Sequence, residues 1–336
     1  MDLLTQGILG AAAAQAGARK VDTRLATSMG FIAGMLPDAD ALIRSNEDPL
    51  LVLEYHRHFS HSLVFIPVAA LLVAVITWLI LKKRPAFSRL FIYALLGVGL
   101  AGLLDACTSY GTNLLWPFSD QRIAWNIIAI IDPVFTLLLL IPLLLGLIRH
   151  SPRASRWGLG LAALYLGLAT LQSFRAYSIA EQLSAGRNHQ VERLLVKPTL
   201  ANLMLWRSLY IADGRIFVDA VRPGIFSDAR IYPGASLPRL NPQTSSPFPA
   251  GSRGHTDLLR FARFSDDWLA YAPSQPELVG DARYAMLPNS IDPLWGVRLD
   301  LNRPNEALPF ITSRHFTRAM RYDFIQMVLG RDLADE

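Results

Sequence analysis

Apolar positions dominate the first half of the chain and set its architecture. Residues 62–81 and 157–174 carry no charged side chain, 90–104 carries none and extends to Cys107 if Asp105 is tolerated, and 123–148 carries only Asp132. A helix needs about 20 apolar residues to cross a bilayer, so these runs predict four membrane spans. Two shorter stretches, 3–18 and 25–37, fall short of a crossing at about 1.5 Å of rise per residue. They predict a helical hairpin buried to partial depth against the four longer helices.

Beyond residue 175 the pattern changes. Residues 204–211 and 215–222 alternate or are β-rich around Asp213-Gly214, which predicts a hairpin. Residues 283–287 and 296–301 are further strand candidates. Between 233 and 254, 12 of 22 residues are Gly, Pro or Ser, which predicts a long flexible loop. A polar helix over 173–195 links the two parts. The expected fold is mainly α. Residues 1–175 form a polytopic membrane helical bundle, with four long spans and the short N-terminal hairpin, and 176–336 a C-terminal α+β extramembrane domain.

Composition agrees with that division. Only 18% of residues are charged, against about 25% in ordinary soluble domains. The deficit is local: residues 1–175 hold 14 Lys and Arg and 10 Asp and Glu, and residues 176–336 hold 18 and 17. The net charge of +5 sits mostly in short loops between apolar runs, which argues against a nucleic-acid partner and for membrane topology. One set of loops carries ten positive residues (Arg19, Lys20, Arg24, Lys82, Lys83, Arg84, Arg89, Arg149, Arg153 and Arg156), and the other carries three, Arg44, Arg57 and Arg122. The positive-inside rule puts the first set in the cytoplasm. Loop 38–61, turn 105–125 and the C-terminal domain then face outward, away from the cytoplasm. The single cysteine, Cys107, excludes an intramolecular disulfide and a Cys-based zinc site. The first residues lack a basic region and do not read as a signal peptide.

The candidate chemistry lies where rare polar residues interrupt the apolar pattern. Asp38 and Asp40 follow Pro37, and His56, His58 and His61 precede the first long run. Asp105 ends the second run and Asp132 sits in the third. The topology brings all of these to one membrane face. Intramembrane carboxylates are costly and tend to have a partner or a function, and imidazoles with carboxylates suit Zn, Mn or Fe. Blander readings compete: solvated loop histidines, Asp38 as a turn residue, and ion pairs of Asp105 or Asp132 with Arg57 or Arg122.

The motifs also resemble a known family, the bacterial inner-membrane, SOS-regulated, metal-dependent hydrolases of YdjM type. The resemblance rests on Met1-Asp2, Pro37-Asp38-Ala39-Asp40 and His56-Arg57-His58-Phe59-Ser60-His61-Ser62. It continues through Asp105-Ala106-Cys107-Thr108-Ser109-Tyr110-Gly111-Thr112, Trp116-Pro117-Phe118-Ser119 and Ile131-Asp132-Pro133. It covers about residues 1–140. It implies one or two divalent ions held among Asp38, Asp40, His56, His61, Asp105 and Asp132. Asp38, Asp40 and Arg57 would take part in hydrolysis of a phosphoester or lipid-linked substrate at the outer face of the bilayer. One departure stands out: Gln6 occupies the place of the family's early histidine. Two other classes stay open. One is a non-catalytic membrane protein with a structural metal or a partner-binding role; the other, ranked below it, is a transporter with Asp105 and Asp132 in an ion path.

Overall fold

The computed structural model describes residues 1–82, 84–224 and 227–333. Lys83, one of the ten basic loop residues, and residues 334–336 at the end of the C-terminal segment lie outside the described residues. The chain forms two compact units. The first comprises Met1–Ile43, Tyr55–Leu171 and Leu200–Asn202; the second comprises Arg44–Glu54, Gln172–Thr199 and Leu203–Glu336.

In the first unit the N-terminal hairpin forms as helices α1 (Leu3–Ala16) and α2 (Thr23–Met35). Asp2 caps α1 by accepting a hydrogen bond from the Thr5 amide (3.0 Å), the standard use of a carboxylate at a helix start. Helix α1 is buried from Thr5 to Gln15. Its small residues permit this: Ala11, Ala12 and Ala14 are fully buried, and Gly10 lies directly against the Gly30 backbone of α2. Such glycine contacts let backbones approach where lipid offers no hydrophobic drive between helices.

After the short helix α3 (Leu51–Tyr55) come α4 (Phe65–Ile80), α5 (Phe87–Val98), α6 (Ala101–Ala106), α7 (Pro133–Ile148) and α8 (Pro152–Gly186). The expectation of four long spans is corrected. Among the described residues, two helices are long and apolar enough to cross a membrane, Phe87–Ala106 with 20 residues and Pro152–Gly186 with 35. A third counts if Leu51–His61 and Phe65–Ile80, bent by 81°, are one broken span. Run 62–81 loses its first turn: Ser62 is extended (φ −73°, ψ 152°) and ends the turn before it, and the helix begins at Phe65. Run 123–148 becomes helical only at Pro133, after the Asp132 cap. Its first part is irregular, with Asn126 at positive φ (55°) and the Trp125 and Ile127 amides donating to the Ala106 and Cys107 carbonyls (2.7 and 2.8 Å). These bonds satisfy backbone groups that no helix or sheet pairs. Exposed apolar residues recur at helical spacing on α4 (Val68, Leu72, Leu79), α7 (Leu137, Ile141, Leu144) and α8 (Leu161, Leu164, Leu168), as lipid-facing stripes require.

The second unit contains two antiparallel four-stranded sheets. The first is a meander of β1 (Arg193–Pro198), β2 (Trp206–Ala212), β3 (Arg215–Arg222) and β4 (Arg230–Pro238). The expected hairpin is its centre: Ala212 pairs with Arg215 around Asp213 and Gly214, both with positive φ (51° and 67°), as a two-residue turn of this kind requires. Helix α9 (Arg253–Phe264) precedes the second meander of β5 (Leu269–Ala272), β6 (Gln275–Asp281), β7 (Trp295–Arg298) and β8 (Phe310–Thr312), and α10 (Arg318–Leu329) follows it. Leu209, Ile211, Val218, Trp268 and Ala270 form a shared core.

Three local expectations are corrected. Residues 283–287 form no strand and hold only an isolated bridge from Ala285 to Pro293. The segment 233–254 is not loop throughout, because β4 runs to Pro238 and α9 begins at Arg253. The linking helix ends at Gly186 and gives way to β1 at Arg193.

Candidate metal centre

Three local structures in the first unit carry the site. Pro37 opens a 3-10 turn, Leu36–Leu42, directly after α2, and this turn presents Asp38 and Asp40. Arg57 adopts positive φ (61°), a conformation a non-glycine residue holds only when its surroundings fix it. Its amide donates to Asp40 Oδ2 (2.9 Å), and a second 3-10 turn, Phe59–His61, then delivers His61. Asp105 comes from the last turn of α6.

His61 is buried and addresses both sides of the site. Its Nδ1 lies 3.2 Å from Asp40 Oδ2 and 3.1 Å from Ser60 Oγ. Its Nε2 lies 2.9 Å from Asp105 Oδ2 and 3.3 Å from Asp38 Oδ1. Neither His61 Nε2 nor Asp38 Oδ1 makes a hydrogen bond, although both are shut off from solvent. Buried polar atoms are rarely left unsatisfied. Lone-pair donors that crowd together without hydrogen-bonding geometry fit a cation between them.

Among the described residues, two groups bring ligand atoms within 4.8 Å of one another: Asp38, His61 and Asp105, and Asp38, Asp40 and His56. Asp38 is common to both. The donor set of two imidazoles and three carboxylates suits Zn, Mn or Fe. His56 Nδ1 lies 2.9 Å from Asp40 Oδ1. Burial alone would raise the Asp40 carboxyl, but hydrogen bonds from His56, His61 and Ser60 outweigh it and hold the group below the ordinary carboxylate range.

Asp105 has further neighbours. Gln6 donates through Nε2 to Asp105 Oδ2 (2.7 Å), leaving its Oε1 buried without a partner. Arg57 Nη2 lies 3.3 Å from Asp105 Oδ1, and the Met1 amino group contacts the same oxygen. Arg57 Nη1 donates to Thr108 Oγ1 (2.9 Å). Arg122 donates to the His56 carbonyl (3.1 Å).

Asp132 stands in neither group. Its Oδ1 caps α7 by accepting from the Phe135 amide (3.0 Å), and its Oδ2 accepts from the Tyr165 hydroxyl (2.8 Å). His58 is also outside both groups, with its ring against Tyr55 and Trp116 (centroids 5.8 Å in each case). Sequence pattern does not single out Ser60 or Thr108. Both lie inside the quoted motifs, and Thr108 falls one helical turn after Asp105, the only signal that could expose it.

Two curated proteins are similar to part of the chain. The uncharacterized protein YfhP of Bacillus subtilis is 24% identical over 174 residues, 51% of this chain and 51% of that protein. The inner membrane protein YbcI of Escherichia coli is 33% identical over 120 residues, 34% of this chain and 66% of that one. The chain thus spans about half the length of the first and just under two thirds of the second. No solved structure matches it. The sequence profile described as YdjM inner membrane protein matches residues 1–176, more than half of the chain, and the chain belongs to that family.

Proposed function

We propose that the protein is a membrane-bound, metal-dependent hydrolase acting on a phosphoester or lipid-linked substrate at the outer face of the membrane. The observation that carries this reading is the convergence of Asp38, His61 and Asp105, with Asp38 Oδ1 and His61 Nε2, shut off from solvent and 3.3 Å apart, at its centre. Asp38, Asp40, His56, His61 and Asp105 would hold the ion or ions. A divalent cation there supplies Lewis acidity toward the scissile group and toward water. Asp40 orients His61 through Nδ1, the outer-sphere contact that fixes an imidazole for ligation. In this reading Asp38 or Asp40 would accept a proton from water, and Arg57 would hold an anionic oxygen.

The test pairs metal analysis of detergent-purified protein with turnover of p-nitrophenyl phosphate and of a phosphatidic acid in mixed micelles. Metal-dependent release of phosphate that Asp38→Asn abolishes is expected. Stoichiometric metal without turnover would leave the second reading, a non-catalytic membrane protein with a structural metal or partner-binding role. That reading draws on Arg57, whose guanidinium already lies beside Asp105.

Gln6 supplies another test. It stands where the resemblance places a histidine, and its amide already touches Asp105. An amide oxygen is a weak neutral ligand beside imidazole. Gln6→His is expected to tighten metal binding by roughly tenfold, within the range for adding one well-placed contact; titration of the apoprotein with Zn²⁺ reads it, and unchanged affinity would remove Gln6 from the site.

The proposed orientation places the second unit outside the cytoplasm, on the ten-to-three asymmetry of loop charges. A reporter active only outside the cytoplasm, fused after Asp332, should be active. Activity of a cytoplasm-only reporter at the same position would reverse the orientation.

A further inference from the structure

The segment between α6 and α7 is tied to the metal centre: the Asn113 amide donates to the Arg57 carbonyl (3.0 Å), and the Arg57 and Arg122 guanidinium carbons each lie 5.1 Å from the Tyr110 ring centre. The exposed residues include large apolar side chains beside Asp120 and Gln121. Phe118 is 86% exposed, and Leu115 and Trp125 are about half exposed at 45% and 49%.

These side chains are continuous with the stripes assigned to lipid. The Leu63 amide donates to the Leu114 carbonyl (3.0 Å), which sets Leu115 beside the exposed Leu63 and Val64 at the start of α4. At the other end, the chain passes from Trp125 to the exposed Val134 at the start of α7. Aromatic side chains at such positions favour the boundary between headgroups and hydrocarbon.

We propose that residues 111–125 sit in the interfacial layer of the bilayer through Leu115, Phe118 and Trp125, and so hold the metal centre at the depth of the lipid phosphates. The ligand class this fits is the phosphoester headgroup of a membrane lipid, presented from within the layer. This rests on the hydrolase reading above for the chemistry and stands apart from it for the location.

Spin labelling separates the two. In a Cys107→Ser background, labels are placed by Phe118→Cys, by Leu72→Cys on the exposed face of α4, and by Asn302→Cys on the exposed surface of the second unit. The proteins are reconstituted in vesicles of phosphatidylethanolamine and phosphatidylglycerol. The label at position 118 is expected to be open to oxygen and intermediate toward a water-soluble nickel chelate, less open to it than position 302 and less shielded from it than position 72. Nickel access equal to that at position 302 overturns the proposal. So does shielding from both reagents with spin–spin broadening, which would mean a second copy of the chain covers the segment.

A second measurement addresses the substrate. Phe118→Ser should raise KM for a vesicle-borne lipid phosphoester by roughly tenfold, as expected from losing one large buried apolar side chain, and leave hydrolysis of p-nitrophenyl phosphate unchanged. Equal effects on both substrates overturn the delivery role. No turnover of either substrate by the wild type defeats the hydrolase reading alone, and the label depth still decides the location.

Discussion

Replacing His61 with alanine should lower divalent-metal affinity at least ~100-fold, beyond the usual cost of removing an outer-sphere partner. His61 is the residue on which the site turns. Its Nε2 lies 2.9 Å from Asp105 Oδ2 and 3.3 Å from Asp38 Oδ1, while its Nδ1 faces Asp40. Without the ring, carboxylates face one another with no imidazole between them, a poor zinc site and one in which like charges disfavour ionisation. Asp38→Asn keeps the shape of the site and removes one charge, so it guards against a folding failure of His61→Ala. Asp132→Asn is the opposite control. Both oxygens of Asp132 serve α7 and Tyr165, and an asparagine still caps a helix. Metal content measured by elemental analysis should fall in the first two variants and hold in the third. Equal metal in all three would end the metal reading, and a loss in Asp132→Asn alone would relocate the site.

Asp132 also shows where sequence reasoning reaches its limit. A carboxylate in an apolar run reads as a functional group, because burial is costly. The same Asp-Pro pair is a helix start, with the carboxylate as cap and proline in the first turn. The structure uses it as a cap. The grouping of Asp38, Asp40, His56, His61 and Asp105 was legible because the apolar runs sort loops by membrane face. The dual contacts of His61 were not, since they depend on the positive φ of Arg57 and on two 3-10 turns, which leave no periodic pattern. Hydropathy likewise could not see that 123–132 is irregular backbone. Its amides bond to Ala106 and Cys107, and apolar composition alone does not separate a helix from buried irregular backbone. In the second unit, Asp213-Gly214 marks one hairpin through its turn chemistry, whereas 283–287 lacks any such marker, and its apolar residues alone do not make a strand.

Gly10→Leu should prevent assembly of the first unit, and even Gly10→Ala should destabilise it by roughly 3 kcal/mol, the upper range for overpacking a well-filled core. A Cβ at position 10 would lie 2.6 Å from the Gly97 carbonyl oxygen and closer still to that of Gly30. Both obstacles are backbone on other helices, α5 and α2, so no side-chain rotation relieves the clash and the helices must separate. That separation would also shift Gln6, one turn earlier on α1, away from Asp105. Gly167 in α8 is the matched control: nothing lies within 4 Å of a Cβ there, and alanine favours a helix over glycine by about 1 kcal/mol. Thermal unfolding in detergent, followed by the monodisperse fraction on size exclusion, should show Gly10→Ala melting well below the wild type and Gly167→Ala at or above it. Equal melting of the two variants would mean that α1, α2 and α5 do not meet through their glycines.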